Sequence, residues 1–204
     1  MKYKQIIFDI DGTLIDTEDA VMRSMQDTIL EMTGKFYEIK DLAFAFGITG
    51  EDALEQLGLT PVDTIVKRWE DRLQHYKERM VVFEGMEEVL KELIARGYEL
   101  GVVTSKNGKE CEEDFFTYPI SKYFKTVVCA DDTKEHKPNP EPLLKYMELT
   151  GCKAEELIYI GDSEYDMKCA RGAGMDHALA KWGAKKDREA TYILEKAEEI
   201  LEVV

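Results

Sequence analysis

Gln5-Ile6-Ile7-Phe8-Asp9-Ile10-Asp11-Gly12-Thr13-Leu14 is the stretch on which the reading of this chain turns. A compact apolar run is stopped by Asp9, and Asp11-Gly12 comes directly after. The pattern predicts a buried strand whose carboxyl end carries acids. Two acids two residues apart at a strand end are most often solvated turn residues. The groups at the other strand ends decide whether these are.

From 17 to 32 the spacing turns helical: Val21, Met25, Ile29 and Met32 share a face, Glu18 and Asp19 suit the first turn, and Gly34 can stop the helix. Thr60-Pro61-Val62-Asp63 reads as an N-cap, a proline at the first helical position and a first-turn acid. Val62, Ile65, Val66, Trp69, Leu73 and Tyr76 then form one apolar stripe, expected to be core against neighbouring helices. After Val81 short strands (100–104, 125–129, 157–160 and 177–180, the last expected) alternate with helices (86–96, 140–149, 163–172). Such alternation predicts an α/β fold, a doubly wound parallel sheet with helices on both faces. The helical stretch directly after the first strand breaks the alternation. The expected division is therefore a core of 1–16 and 81–204 with a helical insert, 17–80.

Ligands of open parallel sheets bind beyond the carboxyl ends of the strands. Those ends here supply Asp9 and Asp11, then Thr104-Ser105-Lys106, then Gly161-Asp162-Ser163, while Lys137 stands in the loop Lys137-Pro138-Asn139-Pro140. Asp9-Ile10-Asp11-Gly12-Thr13 resembles the first motif of the haloacid dehalogenase superfamily. Thr104 is similar to its second motif, Lys137 to its third, and Gly161-Asp162-Ser163-Glu164-Tyr165-Asp166 to its fourth, in order. The insert resembles the cap of the group that includes phosphoglycolate phosphatases and β-phosphoglucomutases.

The resemblance implies a Rossmann-like core with the first and fourth motif strands side by side, and a Mg²⁺-dependent phosphohydrolase. Asp9 would be the nucleophile and a metal ligand, forming an aspartyl-phosphate. Asp11 would be the acid and base, its backbone carbonyl joining the metal, and Asp162 would complete the protein ligands. Asp166 would hold metal-bound water, or serve the first turn of its own helix. Thr104, Ser105 and Lys137 would bind phosphoryl oxygens. Mg²⁺, which prefers oxygen ligands, offsets the repulsion between an anionic nucleophile and an anionic ester. Dehalogenases of the superfamily lack the second acid, so Asp11 points to phosphoryl transfer. A phosphonate-cleaving member needs a cap lysine for a Schiff base, and none of Lys35, Lys40, Lys67 and Lys77 has apolar neighbours that mark it out.

A phosphatase acting on a small phosphorylated metabolite is the expected activity. A sugar phosphomutase is the rival, disfavoured because Thr13 and Gly161 stand where mutases of the group often carry Val and Glu. A pyrophosphatase and a non-catalytic binding protein stand further back. In the loop Phe46-Gly47-Ile48-Thr49-Gly50-Glu51, Ile48 and Thr49 are expected to touch the leaving group.

Composition narrows the partners. Of 204 residues 42 are Asp or Glu and 27 Lys or Arg, a formal charge of −15, which repels nucleic acid and anionic lipid. Cys111, Cys129, Cys152 and Cys169 lie far apart in sequence without a C-x-x-C pair, and His75, His136 and His177 are scattered. Reduced thiols in a cytoplasmic protein are expected, not a zinc site. The apolar patch before Asp9 is shorter than the roughly 7 residues of a signal core. A monomer or homodimer is expected.

Overall fold

The computed structural model describes residues 2–184, 186 and 188–204. Its elements in chain order are β1 (Gln5–Phe8), β2 (Ile15–Asp16), α1 (Glu18–Thr33), α2 (Ile39–Leu42), α3 (Gly50–Gln56), α4 (Val62–Leu73) and β3 (Val81–Val82). Next come α5 (Met86–Ala95), β4 (Glu99–Val103), α6 (Gly108–Glu113), β5 (Phe124–Val128), α7 (Glu141–Thr150), β6 (Leu157–Gly161), α8 (Glu164–Gly172), β7 (Asp176–Ala180), β8 (Tyr192–Leu194) and α9 (Ile200–Val203). Short 3₁₀ turns lie between several of them.

Strands β5-β4-β1-β6-β7-β8 form one parallel sheet in that order. The apolar run of β1 is buried because both faces of the sheet are covered. Ile6 and Phe8 join one apolar cluster with Leu100, Val102, Ile158, Ile160 and the α5 residues Val89, Leu90 and Leu93. Ile7, pointing the other way, joins Leu157, Tyr159, Leu143 and Tyr146 of α7, and Cys169 and Ala170 of α8. The expected doubly wound sheet is therefore present, with β1 and β6 adjacent and Phe8 opposite Ile160. From β1 the chain order runs outward in both directions, so the crevice at the carboxyl end of β1 is the binding position of this topology.

Residues 18–73 pack on their own apolar cluster, in which Met22, Met25 and Ile29 of α1 meet Leu54 of α3 and Ile65 and Val66 of α4. The Gly34 N–H closes α1 on the Leu30 carbonyl, with Gly34 in the left-handed region that glycine favours. The chain enters and leaves this segment through β2 and β3, which pair antiparallel, Ile15 with Val82 and Asp16 with Val81.

Three expectations change. Pro61 is extended (ψ 126°) and precedes α4 as its N-cap rather than filling its first turn. The apolar stripe divides: Val62, Ile65, Val66 and Trp69 serve the helical cluster, while Leu73 and Tyr76 pack against the sheet core. The strand after α8 is not the last, because β8 adds a parallel edge, Ala178 opposite Tyr192. Two cysteines distant in sequence also meet, Cys111 and Cys129, with Sγ atoms 3.4 Å apart. No helix among the described residues is long and apolar enough to cross a membrane.

Gly101 of β4 shows how closely α7 lies on the sheet. A Cβ there would overlap the hydroxyl end of the Tyr146 ring, whose hydroxyl donates to Gln5 Oε1 at 2.7 Å. Gly101→Ala is expected to lower the unfolding free energy in urea by about 2 kcal/mol or more. Adding Tyr146→Leu should recover part of the loss. A neutral Gly101→Ala would mean that α7 sits further from the sheet.

Candidate active site

Asp9 follows β1 directly, and its N–H donates to the Ile160 carbonyl of β6 at 2.9 Å. The chain then turns in a tight loop in which the N–H groups of Thr13, Leu14 and Ile15 all reach the Ile10 carbonyl. Gly12 permits that turn at φ 78°, and a Cβ on it would lie 2.5 Å from Asp162 Oδ2, so glycine is required twice over. Thr13, wholly buried, donates from Oγ1 to Asp162 Oδ1 at 3.3 Å. The carboxyl ends of β1 and β6 are thus tied by the Asp9 N–H to the Ile160 carbonyl and by Thr13 to the Asp162 carboxylate.

Lys137 reaches the same point from the loop before α7. Its side chain is 1% exposed, and Nζ lies 2.9 Å from Asp9 Oδ1 and 2.8 Å from Asp166 Oδ1. Asp166 does more than pair. Its Oδ2 accepts from Ser163 N–H (3.0 Å) and Oγ (2.5 Å), closing a capping box at the start of α8. Tyr159 Oη sits 2.9 Å from Asp166 Oδ1, 2.9 Å from the Val103 carbonyl and 3.2 Å from Lys137 Nζ. A Cβ at Gly161 would come 2.5 Å from that of Asp166, so the place a larger residue would take is already filled.

Carboxylate oxygens of Asp9, Asp162 and Asp166 lie within 4.8 Å of one another, all buried. Burial, with Asp166 and Asp11 nearby, pushes the Asp9 carboxyl up to about 7 even though Lys137 pulls it down. Burial and the charges of Asp166 and Asp9 also raise Asp162 well above the usual carboxylate range. Burial lowers the Lys137 ammonium, but its two carboxylates more than reverse that. Among the described residues, one ammonium, paired with Asp9 and Asp166, thus serves a cluster of three buried carboxyls. An oxygen-only donor set with excess negative charge suits a hard divalent cation.

Asp11 stands outside this cluster, on the side of the helical segment. Its Oδ1 lies 3.3 Å from Lys106 Nζ, which is also 3.0 Å from Asp114 Oδ2. The surrounding acids hold the Lys106 ammonium well above its ordinary value against the opposing effect of burial. Lys106 and Tyr159 had no assigned role in the sequence. The Thr104-Ser105-Lys106 stretch at a strand end was the available signal for Lys106, and nothing local signalled Tyr159.

Thr104 follows β4 directly, and its Oγ1 accepts from the Lys106 N–H at 3.2 Å. Ser105 instead donates its hydroxyl to the Gly47 carbonyl at 3.0 Å, joining core and helical segment. Its side chain is thereby engaged within the protein. Between the two halves lies a cleft of about 700 Å³, counting space open to solvent, with Asp9, Asp11, Ser105 and Lys106 on one wall and Ile48 and Trp69 on the other. Thr49 does not line it. It is 3% exposed, and its Oγ1 accepts from Asp52 N–H at 3.2 Å as the N-cap of α3.

A family model for haloacid dehalogenase-like hydrolases matches residues 6–180. The chain belongs to that family. Pyrophosphatase PpaX of Bacillus mycoides is 28% identical over the whole of this chain and 98% of its own length. Among solved structures, a Lactobacillus plantarum protein proposed to be a phosphoglycolate phosphatase superposes with TM-score 0.91 at 29% identity, covering all of both chains. A subfamily IA hydrolase of the superfamily from Geobacter sulfurreducens gives 0.77 at 27% identity, covering 99% of this chain and all of its own.

Thr49→Ala removes a cap and not a cleft contact, so it is expected to cost about 1 kcal/mol of stability in urea. A variant with wild-type stability would show that the cap hydrogen bond contributes nothing.

Proposed function

We propose that this chain is a Mg²⁺-dependent phosphatase hydrolysing a small phosphomonoester through an aspartyl-phosphate on Asp9. Residues 17–80 act as the cap over a core of 1–16 and 81–204, in a cytoplasmic setting. The observation that carries the reading is the Lys137-paired cluster of Asp9, Asp162 and Asp166, with Asp11 beyond it lining the cleft.

Asp9, Asp162 and the Asp11 backbone carbonyl would hold the ion, with Asp166 beside them. When bound, Mg²⁺ supplies positive charge that offsets repulsion between Asp9 and the phosphoryl oxygens. The Asp9 carboxylate attacks phosphorus, and the bond to the ester oxygen breaks as Asp11 gives that oxygen its proton. Asp11, now a carboxylate, takes a proton from the water that attacks the aspartyl-phosphate. Phosphate leaves and Asp9 is restored. Lys137 neutralises the developing phosphoryl charge, with Thr104 and the backbone N–H groups after β1 and β4 around it. Lys106 holds the Asp11 carboxyl in place.

A second reading is pyrophosphate hydrolysis, favoured by the full-length likeness to the pyrophosphatase relatives. A mutase is less supported: Thr13 hydrogen-bonds Asp162, and Asp166 fills the space beside Gly161.

Asp9→Asn is expected to abolish release of phosphate from acetyl phosphate while the fold survives by circular dichroism. Activity within about tenfold of wild type would remove Asp9 as the nucleophile. Chelation should abolish turnover and Mg²⁺ restore it. Ile48→Ala should lower kcat/KM for the preferred ester by about tenfold but scarcely alter that for acetyl phosphate.

Metal and proton compete at Asp9. Its raised carboxyl binds a proton more tightly in the fold than in the unfolded chain, so this contribution favours the metal-free fold in acid and is lost as pH rises through about 7. The Tm increase caused by Mg²⁺ should therefore grow from about pH 5.5 to about pH 8. An equal increase at both would contradict metal binding at Asp9.

A further inference from the structure

We infer that the leaving group of the substrate carries no second anion: it is an uncharged or cationic alcohol with an apolar body. This rests on the phosphatase reading above. The group that protonates the leaving oxygen must reach it, so the leaving group lies where Asp11 lies, in the cleft under the helical segment. Asp162 opens instead onto a different cleft, beside Lys40, Lys168 and Arg188.

The wall opposite Asp11 is apolar. Phe46, Ile48, Val66, Trp69 and Leu73 all line it. Trp69 is fixed there, because its Nε1 donates to Ser24 Oγ at 2.8 Å. An apolar or aromatic body would bury against these side chains, and an ammonium would find the Trp69 ring.

The charges of the cleft exclude a second phosphate or a carboxylate. Among the described residues lining it, Lys106 is the one cation, and it already lies between Asp11 and Asp114. The other charged groups of the rim are acids: Glu51, Glu70 and Glu110. Lys109, outside the lining, neutralises Glu70 at 2.8 Å. The nearby helix starts also disfavour an anion: Glu51 and Asp52 stand in the first turn of α3, the Asp52 N–H donates to Thr49 Oγ1, and Glu110 accepts from the Asn107 N–H at the start of α6. A leaving group with its own negative charge would give up its hydration and gain no partner.

The test compares matched pairs of esters by steady-state phosphate release with Mg²⁺. Phosphoethanolamine and phosphoglycolate are close in size and opposite in leaving-group charge. Phenyl phosphate and pyrophosphate form the second pair. Acetyl phosphate is the reference for the core chemistry. In each pair the non-anionic member is expected to have the higher kcat/KM, by about tenfold or more. Glu51→Lys, which places a cation on the rim, should narrow both ratios by about tenfold. Higher kcat/KM for phosphoglycolate or pyrophosphate would overturn the inference while leaving the phosphatase reading intact. So would ratios that Glu51→Lys leaves unchanged. Hydrolysis of none of the five, acetyl phosphate included, would overturn the phosphatase reading itself and the inference with it.

Discussion

Lys137 between Asp9 and Asp166 is the contact on which the site depends. It ties the end of β1, the loop before α7 and the first turn of α8 at one buried point. Removing one partner from such a group leaves a buried charge uncompensated, which costs about 3–5 kcal/mol. Even intact, the group is unbalanced, since Asp162 adds a third buried carboxyl and, among the described residues, Lys137 is the one cation paired with the cluster. The fold holds carboxyls together whose charge either protons or a cation must balance. That makes the cluster poor as a stabilising device and well suited to binding a hard metal ion.

The helical segment changes what this edge can do. Without it Asp11 would face water. With it, Asp11 shares a cleft with Ile48 and Trp69, and Ser105 fastens the Gly47 carbonyl to the core. The short β2–β3 pair carries both crossings between the halves, so the segment is attached at a narrow point. Under the proposed function, such an attachment would allow opening for substrate entry and closure that excludes water during the reaction. On the proposed reading, phosphoryl chemistry belongs to one wall and recognition of the leaving group to the other.

Much of this was legible in the chain. The apolar run before Asp9 and the later alternation of short strands with helices led to a doubly wound parallel sheet, because each is a periodic signal of burial on both faces. Spacing did not reveal contacts made by two-residue strands or by a three-residue edge strand, as β2, β3 and β8 are too short to have a period. Pro61 was misplaced by one position, since an extended ψ before a helix leaves no mark distinct from a helical proline. At the site, the acids at strand ends were visible, but their division was not. Asp166 clusters with Asp9 and Asp162 while the Asp11 carboxylate turns to Lys106, a separation set by tertiary packing. Thr49 stood next to Ile48 in sequence, yet one caps a helix and the other lines the cleft, as alternate positions at a helix start can do.

The role of Asp9 as nucleophile is tested most directly by trapping. Acetyl phosphate loses acetate, which needs no proton from Asp11, so Asp11→Asn should still be phosphorylated. Its hydrolysis step, lacking the base, should then stall. Mass-spectrometric mapping of this variant after mixing with acetyl phosphate and Mg²⁺ is expected to find phosphate on Asp9. Phosphate on another side chain, or sustained turnover with none on the protein, would contradict covalent catalysis at the end of β1.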